Sequence, residues 1–136
     1  KKYLTRYVEK QLKREIIDLG AKEYQKDDDF PDFAFPLAQK IAAEPGSFGI
    51  LICGSGQGVC MAANKVPGVR AVLGYSIESA EWARKDDHAN VLCLAGRVLS
   101  EEHACAIVKM FLQTEEKMEE KYVRRIKKIE EFEKKR

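Results

Sequence analysis

Three short apolar runs, Phe48–Cys53 (FGILIC), Val69–Gly74 and Val91–Ala95, alternate with stretches of helical periodicity. Runs of this length without polar alternation suit strands buried on both faces, and strands that alternate with helices suit a parallel sheet covered on both sides. Between them lie a small-residue helix through Cys60, Met61, Ala62 and Ala63, and a second helix over Ile77–Lys85. Ser100, followed by Glu101 and Glu102, reads as the N-cap of a helix that runs to about Leu112. The expected fold is therefore α/β. Ligands of such sheets bind beyond the carboxyl ends of the strands.

The flanks are helical in pattern. From Tyr3 to Ile17 the apolar residues recur at helical spacing, which predicts one helix stopped by Gly20. Pro31 suits the first position of another helix carrying Phe33, Leu37 and Ile41 inward, with Pro36 near its first turn. The last segment, Glu115–Arg136, holds seven acids and nine bases around a stripe of Met118, Tyr122, Ile126, Ile129 and Phe132. It reads as a solvated helix with a narrow adhesive face for its own domain or a partner subunit. We divide the chain accordingly into an α/β domain, residues 1–114, and a C-terminal helix, residues 115–136.

Charge and cysteine usage narrow the class. The 24 basic and 22 acidic residues leave a net charge of +2, which gives little drive towards nucleic acid or an anionic membrane. No apolar run approaches the roughly 18 residues of a membrane-spanning helix. The cysteines Cys53, Cys60, Cys93 and Cys105 form no CxxC pair, and there are only two histidines, so a structural metal site is not expected. Reduced thiols in a cytoplasmic protein fit this usage. The chain opens at Lys1-Lys2-Tyr3, as though already within a helix, and we expect the protein's own start to lie upstream.

The sharpest chemical signal is Cys53-Gly54-Ser55-Gly56-Gln57-Gly58, between a strand and a helix. Glycines at alternate positions let the backbone turn tightly and present consecutive N–H groups to an anion. The loop lacks the Lys-Ser/Thr ending of a P-loop. Its third glycine also comes one residue early for a dinucleotide fingerprint, and no acid follows the next strand at Gly74-Tyr75-Ser76. A cysteine beside such amides can lose its proton near neutrality and serve as base or nucleophile. Cys93 and Cys105 read as small buried hydrophobes, and His103 as structural, while His88 in the loop Asp86–Asn90 is open. Lys121, Arg125 and Lys128 share one helix face, which suits a single anionic group.

The segments ILICGSGQGVCMAANKVPGVRAVLGY, ANVLCLAGRVL and YVRRIKKI closely resemble ribose-5-phosphate isomerase type B, a family that includes the galactose-6-phosphate isomerase subunits. The resemblance implies a Rossmann-like three-layer αβα sandwich with a mostly parallel sheet. Its first strand, which ends in a Ser-Asp-His loop, would precede Lys1. It implies aldose–ketose isomerisation of a phosphorylated sugar in carbohydrate metabolism, as in the pentose phosphate pathway, without metal or cofactor. The partners implied are a second copy of the chain, as a homodimer or dimer of dimers, with the site at the subunit interface.

Carried onto this sequence, Cys53 matches the base that moves a proton between C1 and C2. Ser55 matches a loop hydroxyl that is usually threonine, and the amides of Gly54, Gly56, Gln57 and Gly58 match the cradle for the enediolate. Arg97, Lys121 and Arg125 match phosphate-gripping positions, with the tail reaching across the interface. Lys121 replaces an arginine, keeping charge but losing the bidentate fork. Asp86 and Asp87 stand where the family has a ring-opening histidine and a substrate-contacting asparagine, so they are the expected acid–base and substrate-binding residues there. Phe30 stands where many relatives carry tyrosine. The alternative is a non-catalytic sugar-phosphate-binding homologue, or one subunit of a hetero-oligomeric hexose-6-phosphate isomerase.

Overall fold

A computed structural model describes residues 1–135; Arg136, the last residue of the expected tail helix, lies outside them. The elements are α1 (Lys2–Lys10), α2 (Pro31–Ala43), β1 (Gly49–Cys53), α3 (Gln57–Ala63), β2 (Ala71–Leu73), α4 (Ile77–Lys85), β3 (Val91–Ala95), α5 (Glu101–Gln113) and α6 (Glu120–Lys134). The strands form one parallel sheet in the order β1-β3-β2, with Gly49 opposite Val91 and Cys53 opposite Ala95. The central strand is the most apolar run, and four of its five residues are buried. Burial on both faces explains why VLCLA carries no polar alternation.

Helices α2 and α3 cover one face through Ala34, Ala38, Ile41, Val59 and Ala63, against Leu51 and Cys93. Helices α1, α4 and α5 cover the other through Val8, Ala80, Ile107, Val108 and Phe111, against Leu92 and Leu94. This is a Rossmann-like αβα arrangement. Phe111, fully buried, meets Phe48 edge-on at 5.8 Å, and the Arg84 guanidinium lies 4.4 Å from the Phe48 ring. Capping fixes two helix starts: Ser76 and Ser79 form a reciprocal box at α4, and Ser100 accepts the His103 N–H at α5.

The flanks depart from the sequence pattern. Helix α1 ends at Lys10; Lys13 adopts φ 57°, and the chain continues irregularly. Leu12 and Ile16 still pack into the core, and Arg14 Nη2 donates to the Leu112 carbonyl at 3.1 Å. The stripe therefore marks burial correctly without being helical, and the branched pair Ile16-Ile17 favours extended backbone. In α2 the innermost face is Ala34, Ala38 and Ile41 rather than Phe33, and Pro36 sits in the second turn on the solvent side. Strand β1 is an edge strand with one open flank, not a strand buried on both faces: Ile52 is 39% exposed.

The tail is helical from Glu120 rather than Glu115. Of its expected stripe only Ile126 is buried; Met118, Ile129 and Phe132 are exposed. The helix rests on its own domain at Gly68, whose N–H donates to Glu133 Oε2 at 3.0 Å. A second tie joins Arg70 to Glu130.

Candidate active site

The loop after β1 is built by the sheet register. Gly96 N–H donates to the Cys53 carbonyl at 2.8 Å and Arg97 N–H to the Gly54 carbonyl at 3.0 Å, so the loops after β1 and β3 are clamped together. Gly56 takes φ +76°, and a Cβ there would lie 2.6 Å from Leu73 Cδ1 and 3.0 Å from the Leu94 carbonyl carbon. Only glycine fits. At Gly54 the Arg97 guanidinium presses so close that a Cβ would meet Cζ at 2.9 Å. Gly58 is covered by the Phe30 ring, 2.7 Å from where a Cβ would stand.

These constraints place a sulfur among amides. Half-buried Cys53 accepts the Gly56 N–H at 3.2 Å, and exposed Ser55 accepts the Gln57 N–H on its Oγ at 3.3 Å. The amides of Ser55 and Gly58 have no partner among the described residues. A cavity of about 200 Å³ opens on the α1 and α5 side of the sheet, lined among others by Lys1, Tyr3, Ile52, Gly96 and Leu99, and no residue of the Cys53–Gly58 loop lines it. The structure thus brings together Cys53, Ser55, Gly54–Gly58 and Arg97 at the carboxyl end of the sheet, on the side where ligands of such folds bind.

The other expected site residues lie elsewhere. Gly49 N–H donates to the Asn90 carbonyl at 2.9 Å, so the Asp86–Asn90 loop stands at the amino end of β1, not beside Cys53. Asp86 lies 3.6 Å from Lys117 Nζ. Burial, reinforced by Asp86, raises the Asp87 carboxyl above the ordinary aspartate range, against the pull of His88 and Arg125. Lys121 Nζ and Arg125 Cζ stand 5.0 and 6.0 Å from the Tyr122 ring centre, with Lys117 on the same ring. Within one chain the two groups are separated by the length of a five-residue strand, about 13 Å.

His88, open in the sequence, is structural within the chain. It is 6% exposed, takes φ 52°, contacts the Lys117 carbonyl through Nε2 at 2.8 Å, and faces Glu116. Beside it Arg84 donates to the Ala89 carbonyl at 2.6 Å and to Glu116 at 3.1 Å. This cluster ties the segment before α6 to the end of α4, and nothing in the spacing of Arg84 and Glu116 announced it. Two asparagines were also missed. Asn64 clamps Ala71 by both its N–H and its carbonyl at 2.8 Å, and Asn90 bridges Gly68 and Arg70. They fix where α3 and β3 meet β2. Among the described residues no three potential metal ligands converge, and no helix is long and apolar enough to cross a membrane.

The profile of the family described as Ribose/Galactose Isomerase matches residues 1–129. The chain is 49% identical over 115 residues to the probable ribose-5-phosphate isomerase B of Mycoplasma pneumoniae, covering 85% of this chain and 75% of that one. It is 41% identical over 124 residues to ribose-5-phosphate isomerase B of Mycobacterium tuberculosis, covering 91% and 76%. Among solved structures, ribose-5-phosphate isomerase B of Mycoplasma genitalium with bound ribulose-5-phosphate superposes with a TM-score of 0.94 at 42% identity, over 100% of this chain and 89% of that one. The type B enzyme of Trypanosoma cruzi gives 0.94 at 38% identity, over 99% and 90%.

Proposed function

The chain belongs to the ribose/galactose isomerase family, and from that premise we propose that it interconverts ribose 5-phosphate and ribulose 5-phosphate, with Cys53 carrying the proton between C1 and C2. It is an aldose–ketose isomerase of sugar phosphates; the five-carbon substrate follows the relative that binds ribulose-5-phosphate. The observation that carries the roles is the sulfur of Cys53, half-buried at a strand end and set beside the unpartnered amides of Ser55 and Gly58.

Moving a proton between adjacent carbons needs a base at one face of the sugar and donors at the oxygen where charge develops. Cys53, as thiolate, takes the proton from C2 of the open-chain aldose. The electron pair flows towards the C1 carbonyl, and the oxygen that becomes negative is met by the Ser55 and Gly58 amides. The Gln57 N–H holds Ser55 Oγ as an acceptor, which leaves the Ser55 hydroxyl proton free to donate to the sugar. The thiol then returns the proton to C1, while the C2 hydroxyl proton passes to the negative oxygen on C1, leaving a ketone at C2 and a hydroxyl at C1. Arg97, held over Gly54, grips the phosphate.

Arg97 alone is a thin grip on a dianion, and Lys121 and Arg125 lie at the opposite end of the sheet. We assign them, with Asp86 and Asp87, to the site of a second copy of the chain. The tail of one subunit then closes the loop of the other, and the exposed Met118, Ile129 and Phe132 supply the adhesive contact. The test is a coupled assay of the purified protein on ribose 5-phosphate and on six-carbon phosphosugars, with Cys53→Ala beside it. The variant is expected to lose at least a thousandfold in kcat while still binding the phosphosugar. Retained turnover would remove Cys53 from the chemistry, and turnover of six-carbon sugars alone would reassign the substrate.

A further inference from the structure

The polar cluster between α4 and α6 takes no part in the steps above. At its centre the Glu116 carboxylate meets Arg84 Nη1 through Oε1 at 3.1 Å and faces His88 Nδ1 through Oε2 at 3.5 Å. Both partners are rooted in the core. Arg84 and His88 are buried, and the Arg84 guanidinium donates to the Ala89 carbonyl and lies over the Phe48 ring. His88 holds φ 52°, a backbone conformation that residues other than glycine adopt only where their surroundings fix it. Its Nε2 lies 2.8 Å from the Lys117 carbonyl, which can only accept, so Nε2 carries the proton. The Lys117 N–H donates in turn to the Lys85 carbonyl at 2.9 Å. Residues 116 and 117 are thus held by side chains and by backbone together.

These contacts fix the origin of the tail. Lys117 sends Nζ to Asp86 at 3.6 Å and to the Tyr122 ring at 5.2 Å, the same ring on which Lys121 and Arg125 stand at 5.0 and 6.0 Å. Three like charges gathered at one ring repel one another, and the electron-rich ring and the Asp86 carboxylate offset that repulsion. We propose that Glu116, Arg84 and His88 are positioning residues for the phosphate clamp. They fix residue 117 against α4, and so set where Tyr122 presents Lys121 and Arg125 to the phosphate of a sugar bound by a second copy. The proposal rests on the reading of the tail as that clamp. The three residues act through Lys117 and Tyr122, not by a contact of their own with the sugar.

A displaced clamp loosens the hold on a part of the sugar that does not react. Contacts made equally in the ground state and the transition state set KM and leave kcat alone. A clamp of two long side chains also loses by disorder, because each freed lysine or arginine regains rotamer freedom that binding must remove again. Loss of the cluster is therefore expected in binding rather than in proton transfer, since the thiol and its amide loop come from the other copy.

Glu116→Ala and His88→Asn of the full chain are assayed with ribose 5-phosphate beside the unmodified protein, each below its melting transition, and binding of inorganic phosphate is measured by calorimetry. Asparagine tolerates the left-handed backbone at residue 88 but is too short to serve the Lys117 carbonyl, whereas His88→Gln places an amide N–H where Nε2 stood. Expected are at least a tenfold rise in KM with kcat within threefold of normal, phosphate affinity at least fivefold weaker, and a KM within threefold of normal in His88→Gln. Unchanged KM and phosphate affinity in Glu116→Ala, a fall in kcat without a rise in KM, or a His88→Gln no better than His88→Asn would each overturn the proposal. Arg125→Ala separates the two levels of the argument. If it binds phosphate as tightly as the unmodified protein, the clamp reading itself fails. If it binds weakly while the Glu116 and His88 variants bind normally, the positioning role alone fails.

Discussion

Gly56 carries three duties that no other residue type can combine. Its φ of +76° turns the chain, its N–H reaches the Cys53 sulfur, and its Cα lies flat against the Leu94 backbone. Gly56→Ala adds about 1–2 kcal/mol of left-handed strain to a clash with backbone that cannot yield. The expected result is a lower melting temperature and at least a tenfold loss of turnover, read by calorimetry and the coupled assay. Asp87 offers a test of the opposite sign. Its folded-state pKa is raised above the unfolded value, so its carboxylate weakens the fold once ionised. That penalty is absent below pH 3.8, grows as pH rises through the folded-state pKa and is complete at neutrality, so Asp87→Asn should raise the melting temperature at pH 7 and lose that advantage in acid. The glycine loop was legible in the sequence because its chemistry is contiguous. The partners of Asn64, Asn90 and Arg84 stand 7, 22 and 32 residues away, and spacing along a chain says nothing about such pairs.

At the scale of elements, the segment between α5 and α6 is held by polar contacts rather than by a core. Arg84 joins Glu116, the Ala89 carbonyl and the Phe48 ring, while the Lys117 N–H donates to the Lys85 carbonyl at 2.9 Å. Arg84→Ala would leave a buried carbonyl unpaired and Phe48 partly unsupported, at a cost of about 3 kcal/mol. We expect the midpoint of urea unfolding to fall accordingly and the Lys117 amide to exchange faster than in the unmodified protein. The strands and α3–α5 were readable because buried apolar runs and caps are local signals. The ends of α1 and the start of α6 were not. Leu12 and Ile16 bury the stripe by an irregular path, and residues 114–119 are bound by groups on α4 and its following loop. Periodicity records which residues are covered; it does not record the backbone that covers them.

For the whole molecule, the separation of Cys53 from Lys121 and Arg125 sets a test of shared sites. A Cys53→Ala subunit mixed with an Arg125→Ala subunit can form one site with an intact sulfur and an intact tail. Two nearly inactive preparations, unfolded together and refolded, are expected to recover about a quarter of the normal activity if subunits pair at random as twofold dimers. No recovery would return the tail to its own chain. The family resemblance already implied a tail that reaches across an interface; spacing along the chain did not supply the separation itself, which is the length of β1 between Gly49 and Cys53. On the proposed assignment of Lys121 and Arg125 to a partner's phosphate, a solitary chain would keep only Arg97 beside its thiol and would turn over poorly. Turnover per chain should therefore fall when the solution is thinned until subunits part, and return when it is concentrated again.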